Sequence, residues 1–253
     1  MMNKNLNGDA TFVQPLSSFQ HTYLHTYLQH LTNFKTMKKS IYLFILALCV
    51  FTSSCTMMVK GFAKLLVKNY NDYTSTHISD IQIADPNGKS QSFANLYGGK
   101  TVYLYVEEKK KLSAQQEKSF KLLKERFAKY PDVVFAKLSV GSDAASNTNK
   151  LVDDASSAEF RKIMKINDPA AFIIGKDGAI LAYKGPRPDD NILVDYVLFQ
   201  AMKGEDGTKS AKRFIRGING NSQFKSDKLI EWYTAHFGKA PGNKLSMSLS
   251  STN

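Results

Sequence analysis

From residue 78 onward the apolar positions switch between a period of two and a period near three and a half, and the switching lays out the elements. Ile81 and Ile83 before Asp85-Pro86-Asn87-Gly88-Lys89, and Phe93 after it, predict a hairpin, because Pro and the Asn-Gly pair suit a tight turn. Leu96–Lys100 reads as a loop feeding Thr101–Val106, a β-branched and aromatic run that predicts a buried strand. Ser113 is placed to cap a helix whose apolar stripe holds Phe120, Leu122, Leu123 and Phe127 and which runs to Tyr130, where Pro131-Asp132 stops it. Residues 133–140 form the next strand. A loop over 141–150, rich in Ser, Asn and Asp, leads to a helix around 155–164. After Asn167-Asp168-Pro169 come an apolar strand at 170–174, a turn at 175–178 and a strand at 179–183. A helix over 189–202 closes the region, with Ile192, Tyr196, Val197 and Phe199 as core candidates. The order β-β-β-α-β-α-β-β-α predicts an α/β fold with a mixed central sheet flanked by helices.

Both ends of this region have their own patterns. After Lys203, Gly217-Ile218-Asn219-Gly220-Asn221 divides the chain into two expected helices, a small helical extension over 204–253. Leu229, Trp232, Tyr233 and Phe237 are spaced to pack inward, and the Ser-rich tail from Leu245 is expected to be disordered. Before the region, 59–70 places Val59, Phe62, Leu65 and Leu66 on one helical side and Lys60, Lys64 and Lys68 on another. This basic amphipathic linker, 56–77, fits either a membrane surface or a helix packed on the domain.

Both cysteines, Cys49 and Cys55, fall within one further stretch. Lys38 and Lys39 precede an apolar run, Ile41–Phe51, and Thr52-Ser53-Ser54 lead into Cys55, the order of an export signal. The run is shorter than the about 20 residues that span a bilayer, although a short uncleaved anchor is the alternative. A cysteine directly after small residues resembles the lipobox of bacterial lipoproteins. That resemblance implies acylation of Cys55 and loss of 37–54, placing the protein in the cell envelope, lipid-anchored, at the periplasmic face of the outer membrane. Thr52 departs from the leucine common there. Residues 1–36 fit an upstream start chosen in error, with Met37 as the true start, and are expected to be disordered; their histidines, His21, His25 and His30, have no acid or Cys cluster to complete a metal site.

The whole chain has a formal charge of +12, and from Thr56 onward 30 Lys and Arg stand against 21 Asp and Glu, leaving +9. For an exported chain this charge points to anionic lipid or acidic polymers, with no nucleic-acid partner. Neither a Gly-rich phosphate loop, a Gly-x-Ser-x-Gly elbow nor zinc-type spacing is present, so no cofactor and no metal is expected.

Three segments carry a resemblance: IADPNGKSQSFANLYGGKTVYLYV, FKLLKERFAKYPDVVFAKLSV and INDPAAFIIGKDGAILAYKGPRP. Together with the helix at 189–202, their order is similar to the thioredoxin-like fold over 78–203, in the exported branch related to TlpA and the thiol-disulfide lipoproteins. The resemblance implies a Cys-x-x-Cys motif after the strand that ends at Val106. Here Glu107-Glu108-Lys109-Lys110-Lys111-Leu112-Ser113 stands instead, with Lys110 and Ser113 nearest the two sulfur positions. Neither an ammonium nor a hydroxyl replaces an attacking thiolate, so disulfide chemistry is not expected of this domain's own residues. Two remnants stay open. Lys109–Lys111 beside a helix start can attract an anion, or can be a solvated loop balanced by its glutamates. Asp168-Pro169, a pair whose bond is usually cis in the family, can keep a peptide-docking groove or can simply start a strand.

His77 and His236, the histidines beyond the signal, have no cysteine to activate. The leading expectation is an envelope-tethered thioredoxin-like lipoprotein without redox activity that binds a protein or peptide partner. The alternative is an enzyme of the envelope redox network using a thiol supplied in trans. Neither reading fixes the oligomeric state.

Overall fold

The chain divides into two compact units, Met1–Cys55 and Thr56–Asn253. The computed structural model describes residues 67, 70, 76–107, 112–140, 148–152, 155–164 and 169–245, all in the second unit. The expected signal with Cys55, the amphipathic stretch apart from Val67 and Tyr70, the Lys109–Lys111 run, Asp168 and the tail beyond Leu245 lie outside the described residues, while Leu245 itself, expected to open a disordered tail, is buried and its N–H donates to the Ser222 carbonyl (2.8 Å). Among the described residues no helix is long and apolar enough to cross a membrane.

Seven strands form one mixed sheet: β1 (Gln82–Ala84), β2 (Ser90–Ser92), β3 (Thr101–Glu107), β4 (Val133–Ser139), β5 (Asn149–Leu151), β6 (Ala170–Ile174) and β7 (Ile180–Ala182), in the order β2-β1-β5-β4-β3-β6-β7. β3 and β4 pair in parallel from Thr101↔Val133 to Glu107↔Ser139, joined by helix α2 (Ala114–Arg126). β6 runs antiparallel to β3, with Val102 opposite Ile174 and Val106 opposite Ala170, and β7 returns antiparallel to β6. A strand–helix–strand unit followed by a hairpin and a helix is the thioredoxin-like arrangement expected above. The remaining helices are α1 (Phe93–Tyr97), α3 (Ala155–Met164), α4 (Leu193–Ala201), α5 (Gly207–Arg216) and α6 (Asp227–Phe237).

β3 is apolar at successive positions because both faces of the sheet are covered. Val102, Leu104 and Val106 join Phe93, Ala136, Leu138, Phe160 and Phe172 on one side. Tyr103 and Tyr105 face the other side, packed with Phe120, Leu123 and Phe127 of the α2 region and with Val194, Val197, Phe214 and Trp232. The C-terminal extension is therefore packed into the same core as the sheet. Gly207 lets it come close: a Cβ there would lie 2.6 Å from the Ala182 Cβ and 3.2 Å from the Leu181 carbonyl oxygen. The outer edge of β7 is covered as well. Ile180 N–H donates to the Thr76 carbonyl (3.0 Å), Tyr183 N–H donates to the Tyr70 carbonyl (2.6 Å), and His77 bridges Ala179.

Several expectations need correction. Phe93 opens the short helix α1, capped by the Ser92 hydroxyl, instead of continuing a strand. Within the expected 141–150 loop, Asn149 begins β5, which is held by β4 and β1. Leu122 points outward at 44% exposure, because the buried stripe of α2 runs through Phe120 and Leu123. The regular part of α2 also stops at Arg126, short of Tyr130. Residues 183–192 form a loop, and α4 begins only after Ile192, whose φ of +64° is disfavoured for a β-branched residue.

Candidate functional site at the C-terminal end of the sheet

Parallel β3 and β4 end side by side at Glu107 and Ser139, and β6 begins there, with Ala170 opposite Val106. Pro169 therefore stands next to the end of β3, across from the start of α2. A third segment reaches the same end. Gly185 N–H donates to the Ala171 carbonyl (2.7 Å), and the Tyr103 hydroxyl donates to the Pro186 carbonyl (2.8 Å), which lays residues 185–190 along it.

Ser113, one of the two expected motif positions, is the N-cap of α2. Its hydroxyl accepts from the Gln116 N–H (3.3 Å), while its own N–H donates to Gln116 Oε1 (2.9 Å), a reciprocal box. Just upstream, the Leu112 N–H donates to Glu107 Oε1 (3.2 Å). In the first turn, Glu117 accepts from Lys137 Nζ at 2.6 Å. At the helix start that would stabilise a thiolate, the Gln116 N–H is thus already taken by the Ser113 hydroxyl.

Tyr105 is fully buried two positions before Glu107, and its hydroxyl has no hydrogen-bond partner among the described residues. Arg187 approaches it from the 185–190 loop, where Arg187 Nε lies 3.5 Å from Asp189 Oδ1 and the Arg187 N–H donates to Asp190 Oδ2 (2.7 Å). Burial pushes the Tyr105 phenol above its ordinary range; Arg187 opposes this, and Asp189, Glu107 and Asp190 reinforce it. Burial likewise raises Tyr103, with neighbouring Tyr105 and Asp190 adding to it, and raises Tyr70, with Asp190 adding. All three phenols therefore stay protonated through the physiological range.

A nucleophile here needs a base within hydrogen-bond reach. His77 lies 3.6 Å from Asp177 in the turn between β6 and β7, at the opposite end of the sheet. His236 is fully buried elsewhere: its Nε2 is 2.9 Å from Asp195 Oδ1 and its Nδ1 is 3.2 Å from the Tyr130 hydroxyl. Asp195 also accepts from Arg126 Nε (2.6 Å) and Nη2 (2.9 Å). Neither histidine reaches Ser113. No group of three His, Cys, Asp or Glu among the described residues is placed to hold a metal.

Of the expected positions, the structure brings Ser113 and Pro169 to one end of the sheet, while Lys110 and Asp168 fall outside the described residues. Sequence reasoning missed the 185–190 loop and the Arg126–Asp195–His236 cluster. Adjacent Asp189-Asp190 after Pro-Arg-Pro, immediately beyond an apolar strand, was the available signal for the first.

No family model matches the chain, and no curated protein is similar to it in sequence. Solved structures similar to it include a candidate thiol-disulfide oxidoreductase from Bacteroides vulgatus, 20% identical over 46% of this chain and 90% of its own, with a TM-score of 0.35. A candidate electron transport protein from Aquifex aeolicus is 13% identical over 51% of this chain and 98% of its own, with a TM-score of 0.42. BsSco, a member of the Sco family of cytochrome c oxidase assembly proteins in which a disulfide switch was identified, is 13% identical over 55% and 96%, with a TM-score of 0.39. At these identities and TM-scores they assign no role to any residue of this chain.

Proposed function

We propose that the protein is an envelope-tethered thioredoxin-like lipoprotein, acylated at Cys55, that binds a protein or peptide partner at the C-terminal end of its sheet and carries out no disulfide exchange. One observation carries the reading: Ser113, at the expected position of a redox sulfur, closes a reciprocal cap with Gln116 on a domain whose sequence from Thr56 onward has no cysteine. A thiolate is the species that attacks a disulfide, and nothing in this unit supplies one. The tether places the protein at the periplasmic face of the outer membrane.

The covered edge of β7 and the polar three-residue edge of β2 leave little room for a partner to add as a strand. The end carrying Pro169, Ser113 and Arg187 is the surface we assign to the partner, with Asp168 and Pro169 as its candidate peptide contacts. An insulin-reduction assay on the purified chain should show no turnover above buffer. Measured turnover that survives removal of other thiols would refute the binding-only reading. A photo-crosslinking residue at Ser113 should yield one discrete adduct in intact cells that the same residue at Lys176, at the opposite end of the sheet, does not. Matching patterns from both positions would end the proposal.

A further inference from the structure

We infer that the basic face of α5 is a docking surface for anionic phospholipid headgroups. The inference rests on the lipid tether proposed above, because the tether keeps a membrane within reach. α5 divides sharply in two. Ser210, Ala211, Phe214 and Ile215 are buried, whereas Lys209, Arg213 and Arg216 are exposed and Lys212 is half-buried. Together with Asp206 and Thr208, these four cations line a groove of about 420 Å³.

The acids nearby offset part of this charge. Glu205 pairs with Arg213 and lies 3.8 Å from Lys209, and the Asp206 carboxylate caps the helix by accepting from the Lys209 N–H (2.7 Å). Lys212 and Arg216 make no ion pair with any described residue, so the second half of the face keeps its charge. From Lys203 onward the extension has nine Lys and Arg against four Asp and Glu.

Spacing and chain path select the occupant. Positions 209, 212, 213 and 216 extend over roughly 10 Å of helix at about 1.5 Å per residue, too long for one phosphate ion and suited to several headgroups in a plane. The Thr208 hydroxyl donates to the Val67 carbonyl (3.1 Å), so the segment leading from Cys55 arrives at the first turn of α5. The 12 steps from Cys55 to Val67 reach at most about 43 Å at about 3.6 Å each. A charged face beside the arrival point of the tether is within that reach of the surface that would hold it.

The test is co-sedimentation of the full chain with vesicles of neutral phosphatidylcholine and with vesicles containing phosphatidylglycerol. The quantity read is the ratio of the two affinities, which cancels binding through the apolar stretch at 41–51. The triple variant Lys209→Gln, Lys212→Gln, Arg216→Gln should lose on the order of a hundredfold of the anionic preference, from about 1 kcal/mol per basic residue at such a surface. An equal change of charge on the exposed lysines of α2, Lys118→Gln, Lys121→Gln, Lys124→Gln, should leave the ratio within about threefold. Equal losses in both variants, or none in the α5 variant, would overturn the inference. Release by millimolar phosphate at constant ionic strength would overturn it too, since it would mark a phosphate-ion site. The mass of the mature N-terminus reads Cys55 acylation separately, so failure of the tether and failure of the face are distinguishable.

Discussion

The two ends of α2 are built in opposite ways. At its start, Ser113 and Gln116 satisfy each other at an exposed turn, and Glu117 reaches out to Lys137. At its finish, Arg126 grips a fully buried Asp195 that also engages buried His236 of α6. The His236 ring stacks 5.7 Å from Trp232 at 9° and 5.7 Å from Tyr130 at 16°. Lys129 adds two bonds to the last carbonyls of α6, Ala235 (2.5 Å) and His236 (2.9 Å). The difference separates a terminus where a reactive group would be expected, now closed locally and cheaply replaced, from one where three helices depend on a single carboxylate.

The largest effect should come from that carboxylate. Asp195→Ala strands a buried imidazole and an arginine, and removing one partner of a buried ion pair typically costs about 3–5 kcal/mol. Urea unfolding should show that loss; a change under about 1 kcal/mol would mean that the cluster is incidental. Asp195→Asn keeps an acceptor and should lose less. At the other terminus, Ser113→Ala removes one half of the box and should cost about 1 kcal/mol. A loss as large as that of Asp195→Ala would erase the contrast between the two ends.

The smallest effect belongs to half-buried Asp132, which accepts from Lys100 (3.3 Å) and Lys176 (2.9 Å) just beyond the finish of α2. The Lys176 hydrogen bond, then that of Lys100, hold its carboxyl below the ordinary value of 3.8. A folded-state value below the unfolded one means that the contribution is present above about pH 4 and fades as pH falls through the folded value. The urea-midpoint gap between wild type and Asp132→Asn should be small at pH 7 and should close in strong acid. A gap that widens in acid would contradict the assignment.

Legibility in the sequence followed how locally each element is determined. β3, β6 and α3 were readable because continuous apolar runs or helical spacing identify them without knowledge of their neighbours. β5 was not: Asn149-Lys150-Leu151 has no strand pattern and is extended because β4 and β1 flank it. α1 escaped because a five-residue helix with one buried side chain, Phe93, has no periodicity to read. The late start of α4 depends on the 185–190 loop docking against β6, a contact invisible in local spacing. At the candidate site, Ser113 was legible as a cap through its own position before the helix. The Arg126–Asp195–His236 cluster was not, since its members stand 69 and 41 positions apart and each alone looks like an ordinary polar residue.

Gly207 shows how little matter separates attachment from detachment. Where α5 meets β7, the gap is narrower than a methyl group, and a hydrogen atom is what fills it. Any larger substituent would act as a wedge on Ala182 and lever outward everything that follows, the basic face included. The C-terminal fifth of the chain therefore owes its seating to an atom too small to be seen in any hydropathy profile.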